Sequence, residues 1–293
     1  MNNDSINIKF LLRKKNLFPF LLLLALASLN CQKVVVIDLN QANPKLVIDA
    51  NITDQAGPYN IILSKSGNYF EPNLTFPPVS NAIVIVSDDL GNIDTLKESS
   101  TAGIYKSSTL IGQSGRTYMM NVTSERNKYA AVSSMPQKVY IDSLYYIKRP
   151  NSRNGEPGYD IYITFKDPPE TGNYYRLNVH AGYFIPSDSV DGRRYRLYSD
   201  KLTNGSEMSE RVRAGRLITA GDTISVDLLS IDKATYDYFN TLSDILSSDG
   251  AATSLAPANP NTNLNNGALG YFGACAISSK TIIITDSLFN TVR

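Results

Sequence analysis

In the stretch KLVIDANIT, Lys45 to Thr53, the apolar residues Leu46, Ile48, Ala50 and Ile52 alternate with Lys45, Asp49 and Asn51. A period of two places every second side chain on one face of an extended strand, whereas a helix would scatter the same residues round its axis. The alternation returns at Tyr59, Ile61 and Leu63, after the Gly57-Pro58 turn. Two apolar runs then flank Asp88-Asp89-Leu90-Gly91-Asn92, which reads as a hairpin with a short loop. Gly103–Ser107, Thr117–Thr123 and Tyr129–Ser133 are further strands. Short strands with turn signals at spacings of roughly 8–12 residues predict a β-sandwich of immunoglobulin-like size over residues 44–137. The Pro-, Gly- and Asn-rich stretch SGNYFEPNLTFPPVS is too long for a simple turn and reads as a functional loop.

Met135-Pro136-Gln137 marks the predicted boundary. Beyond it, Ile141–Ile147, Tyr159–Phe165, Tyr174–His180, Arg194–Tyr198, Ile224–Leu229 and Thr281–Ile284 are again strand-like. Residues 138–293 therefore read as a second β-rich, sandwich-like domain. It carries one helix near residues 232–247, where Asp232 can cap the N-terminus and Tyr238, Leu242, Ile245 and Leu246 follow at helical spacing. Ser247 to Gly267 reads as a long polar loop. The fold class predicted is all-β with a single helix.

The N-terminus carries a different kind of signal. Arg13, Lys14 and Lys15 precede an apolar run from Leu17 to Leu29. A run of about 13 residues is too short for a membrane-spanning helix, which needs roughly 20. Basic residues, a short apolar core and then small residues are the layout of an export signal. Ala25-Leu26-Ala27 fits a site for ordinary signal peptidase. Cys31 fits a lipoprotein site, where the thiol takes a diacylglycerol and becomes the new N-terminus. Asn30 stands where a small residue is usual and Leu29 one place off, yet the cysteine lies where the apolar core ends and the chain turns polar. We expect residues 1–30 to be a lipoprotein signal, Cys31 the lipidated residue, and 31–43 a linker. Each buried CH₂ is worth about 0.8 kcal/mol, so two or more chains hold a soluble body firmly on a bilayer. The expected location is a membrane surface, with the facing of the body left open.

Net charge is +1, from 28 basic and 27 acidic residues, which argues against nucleic acid as a partner. With Cys31 lipidated, Cys275 in GYFGACAIS has no partner and reads as a buried, inert thiol; without the lipid, a bridge between the two is open. The single histidine, His180, has no partners at metal or triad spacing, and the IGQSG stretch, Ile111 to Gly115, reads as a turn. Asp88-Asp89 and Asp188 with Asp191 read as turns before calcium ligands. The chain is expected to act by binding, without enzymatic activity, metal or cofactor. A hydrolase built on a carboxylate pair is the less favoured alternative.

Two residue types mark candidate contacts. Of 18 tyrosines, 13 lie from Tyr140 onward, so a partner surface is sought in the second half, at Tyr145-Tyr146 and Tyr174-Tyr175. Neighbours in a strand point to opposite faces, so one of each pair is expected at the surface. Arg193, Arg194 and Arg196, and Arg211, Arg213 and Arg216, form two basic clusters. Guanidinium forks at Arg194, Arg196, Arg211 and Arg213 are candidate contacts for an anionic ligand; the competing reading is a solvated strand face.

Taken in order, the signal ending in Cys31, then VVVIDLN, PKLVIDANITDQAGPYNIILSKSGNYF, PPVSNAIVIVSDDLGN, GIYKS, GRTYMMNVT, SSMPQKVYIDSLYY and NTNLNNGALGYFGACAISSKTIII form a series. The series resembles a family of bacterial outer-membrane lipoproteins known as domain of unknown function 4249, across nearly the whole mature chain. The last segment resembles that family's Asn–Gly-rich stretch leading into a Gly-Tyr-Phe-Gly turn. The resemblance implies a lipid-anchored β-protein associated with TonB-dependent transporters, as an accessory or ligand-capture subunit. It assigns no catalytic residues. A freestanding surface adhesion or structural module is the alternative reading.

Overall fold

The structure, a computed structural model, describes residues 44–67, 76–149, 158–181, 196–212, 216–248, 259–287 and 289–292. Cys31, the export signal, Arg193, Arg194 and Arg213 lie outside these residues. Within them the chain is mostly β with one long helix, as its alternation predicts.

The first half folds into β1 (Leu46–Thr53), β2 (Asn60–Lys65), β3 (Ile83–Asp88), β4 (Ile93–Glu98), β5 (Ile104–Lys106), β6 (Thr117–Ser124) and β7 (Asn127–Ser134). In β1 the alternation becomes burial: Leu46, Ile48, Ala50 and Ile52 are buried while Asp49 faces solvent. The second half contributes β8 (Ile141–Arg149), β9 (Gly158–Lys166), β10 (Tyr174–Ala181), β11 (Arg196–Ser199), β12 (Glu207–Val212), β13 (Thr223–Ile231), helix α1 (Lys233–Ser248), β14 (Leu269–Ile283) and β15 (Phe289–Val292). One large sheet has the order β11-β10-β13-β14-β1-β2-β5-β4-β3-β6-β7, and a smaller one the order β12-β9-β8-β15.

The 15-residue strand β14 joins the two halves by changing partner midway. Its first part lies parallel to β1, from Val47 opposite Leu269 to Thr53 opposite Cys275. Its second part lies antiparallel to β13, from Ser230 opposite Ala276 to Thr223 opposite Ile283. Phe272, Ala274 and Ala276 therefore enter a first core with Ile48, Ile61, Val84 and Tyr118, while Ile282 enters a second with Leu144, Phe165, Tyr175 and Leu228. The junction expected near residue 137 falls between β7 and β8. Here Val139 N–H donates to Ser230 Oγ (3.2 Å) and Ile141 N–H to Ser278 Oγ (2.9 Å), which pins the connection onto β13 and β14. From Asn43 onward the chain forms one compact unit.

Asparagines bridge the remaining gap between β7 and β14. Asn265 exchanges two bonds with Ala130, accepting at Oδ1 (2.7 Å) and donating from its backbone N–H (3.1 Å). Asn263 donates through Nδ2 to the carbonyls of Val132 (3.1 Å) and Phe272 (2.7 Å), and its Oδ1 accepts from Phe272 N–H (3.1 Å). Their side chains stand in for the backbone groups a further strand would supply, which leaves fewer edge groups unpaired. The Gly-Tyr-Phe-Gly stretch, expected as a turn, instead lies inside β14, with Gly270 at φ +91°.

Asp232 caps α1 as predicted, accepting Thr235 N–H at Oδ1 (2.9 Å). Its other oxygen accepts the Ser133 hydroxyl (2.7 Å), so the cap also ties the helix to β7. The row of α1 buried deepest is Thr235, Phe239 and Ser243, with the predicted Tyr238, Leu242, Ile245 and Leu246 only half-buried beside it. The offset follows from what lies beneath: Gly273 has no side chain, and a Cβ built there would stand 3.0 Å from Thr235 Oγ1. Small residues let helix and sheet approach closely at that point.

Candidate functional site: an aromatic sheet face

Both tyrosine pairs split as strand geometry requires. Tyr146 and Tyr175 are fully buried in the second core. The Tyr146 hydroxyl bonds with Thr285 Oγ1 (2.6 Å) and Ser287 Oγ (2.7 Å), holding the turn before β15. Tyr175 donates to the buried Asp167 (2.5 Å), which also accepts Gly205 N–H (2.9 Å). Burial, reinforced by that carboxylate, pushes the Tyr175 phenol far above its ordinary range. Neither ring reaches solvent, so the tyrosines open to a partner reduce to Tyr145 and Tyr174. Because their neighbours share one core from opposite sheets, Tyr145 and Tyr174 point away from each other.

Tyr145 belongs to a row across the outer face of the smaller sheet. Register places Thr291 opposite Tyr145, Tyr145 opposite Tyr162, and Tyr162 opposite Arg211. The rings of Tyr145 and Tyr162 stack at 5.3 Å with 14° between planes, and Phe289 leans on Tyr145 at 5.7 Å. Ile147 and Phe289, paired in register one row along, are 44% and 55% exposed, which leaves an apolar patch facing solvent among the described residues. Asp160 borders it, accepting a hydrogen bond from Arg211 Nη2 (2.6 Å) and forming an ion pair with Arg149, whose Nε stands 2.9 Å away. Stacked tyrosines with apolar neighbours and an arginine–carboxylate border match the composition of protein–protein interfaces.

The described arginines do not assemble into one anion clamp. Arg211 pairs with Asp160 on β12's outer face, Arg196 stands on β11 of the other sheet, and Arg216 makes a two-pronged pair with Asp222 (2.9 and 2.8 Å). Tyr162, Phe289 and Asp160 are site residues the sequence reading missed. The alternation in YDIYITF carries the signal for Tyr162, since Tyr159, Ile161, Ile163 and Phe165 point inward. Only the pairing of β15 with β8 brings in Phe289.

His180 sits on the outer face of β10, with Nε2 at 3.0 Å from Asp227 Oδ2. Ser279 donates to Asp227 Oδ1 (2.5 Å). The carboxylate thus stands between hydroxyl and imidazole, whereas a serine nucleophile needs its hydroxyl on the imidazole. Among the described residues no three His, Cys, Asp or Glu side chains gather as a metal site, and no helix is long and apolar enough to cross a membrane. Cys275 is buried and free, accepts from Asn51 Nδ2 (3.4 Å), and burial pushes its thiol up to about 11. It is protonated and unreactive at neutral pH.

A family model described as Domain of unknown function (DUF4249) matches residues 32–281. The chain belongs to that family. In this DUF4249 protein the matched span takes in the first core, most of the second, the asparagine bridge and β8, β9 and β12 of the aromatic face, and it ends within β14. Among curated proteins none matches significantly.

Proposed function

We propose that this protein is held on the outer membrane by acyl chains on Cys31 and acts by binding, as an accessory or ligand-capture subunit of a TonB-dependent transporter. The aromatic row Tyr145–Tyr162, with Phe289 and Arg211, is the surface it turns to the transporter. That row is the observation that carries the reading, because stacked rings on a solvent-facing sheet contribute little to the fold and much to an interface. The export signal ending at Cys31 supplies the location, and the family resemblance supplies the partner. The match to the family begins at residue 32, directly after the cysteine, which fits a body that starts at the anchor.

Tyr145→Ala and Tyr162→Glu separate fold from function. A cross-strand aromatic pair is worth about 0.2–1 kcal/mol, so each variant is expected to lose no more than about 1 kcal/mol of stability. Recovery of the transporter from detergent-solubilised native membranes is expected to fall about tenfold or more, the equivalent of about 1.4 kcal/mol or more of lost affinity. Unchanged recovery in both variants overturns the docking face. Wild-type protein purifying alone overturns the transporter reading and favours a freestanding surface module.

A further inference from the structure

On the opposite side of the second core, a cleft of about 530 Å³ opens between the Thr171–Gly172 turn, the 3-10 turn Asp200–Leu202 and the first turns of α1. That volume lies in the range of small-molecule sites. Its floor is fixed by Asp200, a buried carboxylate whose Oδ2 accepts the backbone N–H groups of Gly172 (2.7 Å) and Asn173 (3.0 Å). Gly172, at φ +94°, supplies the backbone conformation the turn needs. The floor of the cleft is therefore set by partly buried hydrogen bonds to a buried carboxylate.

The lining has a definite chemistry. Tyr174 and Tyr236 come together with ring centroids 4.9 Å apart and planes 44° from parallel, an aromatic wall within the cleft. Ser199, Asn204 and Asp237 line it with hydroxyl, amide and carboxylate groups. The amide nitrogen of Asn204 is already donated to Pro169 O (2.9 Å), which leaves its side-chain oxygen as an acceptor. Two lysines line the same space, and their states differ. Lys233 is paired with Asp237 (2.5 Å), whereas Lys201 is exposed and has no acidic partner among the described residues.

We propose that this cleft binds a short acidic saccharide. A sugar ring presents an apolar C–H face that packs on Tyr174 and Tyr236, and its hydroxyls both donate and accept, matching Ser199, Asn204 and Asp237. A carboxylate on the ring meets Lys201, the one lining cation that no acid neutralises. A flat aromatic acid would use the rings and the lysine but leave the three polar groups unmatched, which disfavours it. The inference deepens the ligand-capture half of the proposed function. It needs neither anchor nor transporter, so it fails or stands independently of the co-purification above.

The test is calorimetric titration of the full chain, purified in detergent, with digalacturonate, with lactose as a neutral disaccharide, and with 4-hydroxybenzoate as an aromatic acid. Digalacturonate is expected to saturate at sub-millimolar concentration and to bind at least about tenfold more tightly than either of the others. Lys201→Glu, an exposed change that leaves the fold intact, is expected to weaken digalacturonate by about tenfold or more and to leave lactose unaffected. Tyr236→Ala is expected to weaken both sugars. Absence of saturation by digalacturonate, equal binding of lactose, preference for 4-hydroxybenzoate, or indifference to both substitutions each overturns the proposal.

Discussion

Gly270→Val is expected to open the joint between the two cores. Gly270 lies in β14 opposite Ile48, at φ +91°, a region that side chains with a Cβ rarely adopt. A Cβ built there would stand 1.9 Å from the carbonyl oxygen of Ile48 and 2.8 Å from its carbon. Both obstacles are backbone atoms, so no side-chain rotation relieves the overlap. The strands must part, and with them the pairing from Val47–Leu269 to Thr53–Cys275 that seats Phe272 and Ala274 in the first core. Backbone strain together with lost core packing is expected to cost about 4 kcal/mol or more, a large share of the roughly 5–15 kcal/mol that holds a domain. For a chain of this size that lowers Tm by about 8 °C or more. Gly267→Ala is the control: φ is +72°, but nothing lies within 4 Å of the added Cβ, so only the conformational cost, about 1 kcal/mol, remains. Equal melting shifts in the two variants would show that the close approach to Ile48 plays no part.

The second large effect is expected at Asp94, on β4. Its carboxylate is buried and accepts the backbone N–H groups of Ser108 (2.8 Å), Thr109 (2.8 Å) and Leu110 (2.9 Å), and the Ser108 hydroxyl (2.9 Å). The connection from β5 to β6 is folded round this one side chain. Asp94→Ala removes the acceptor of three amide donors, of which that of Leu110 is buried while Ser108 and Thr109 are exposed residues. At about 1–3 kcal/mol for a buried unsatisfied group, plus the lost bonds of the others, the loss is expected to be about 2–4 kcal/mol. Burial alone would raise the carboxyl's pKa, but the bonds from Thr109, Leu110 and Ser108 outweigh it and hold it below the usual range. The sign follows: a depressed folded pKa stabilises the fold above the unfolded value, about 3.9, and that stability disappears as pH falls through the lower folded value. Asp94→Asn has no such titration. Denaturant melts of the wild type and Asp94→Asn are therefore expected to differ most near neutral pH and to converge below about pH 4. A gap that stays constant or widens in acid contradicts the assignment.

The parts of the fold legible in the sequence are those where one face of a strand meets core and the other meets water. KLVIDANIT is such a strand, and so is the run holding Tyr145 and Tyr146, whose opposite orientations follow from the period of two alone. The long strand β14 was legible only at its end, Thr281 to Ile284. Phe272 through Ala276 are buried in succession, because one face lines the first core and the other is covered by α1, where Cys275 packs beside Leu229 and Ile231 of the neighbouring β13. A strand covered on both sides has no alternation to read, and the small residues that let Thr235 approach Gly273 resemble turn residues in the sequence. Sequence separation hid the bridging role of Asn263 and Asn265, whose partners on β7 are more than 130 residues away along the chain.

The candidate surfaces show the same division. Strand parity says that one tyrosine of each pair faces outward, and the structure shows these to be Tyr145 and Tyr174. Parity does not show that Tyr162 and Arg211 complete a row with Tyr145, which depends on the order β12-β9-β8-β15. Nor could it bring Lys201 beside Tyr236, since one lies on a 3-10 turn after β11 and the other on α1. Local patterns specify elements and faces, while sites made from several elements are specified by their pairing.

The most direct test of the central claim is the intact mass of the mature protein recovered from native outer membrane in detergent, together with whatever co-purifies. The account predicts a polypeptide that starts at Cys31, carries the mass of attached acyl chains, resists a wash in plain buffer and brings a transporter with it. A polypeptide starting at Ser28, with an unmodified thiol and released by that wash, would contradict it.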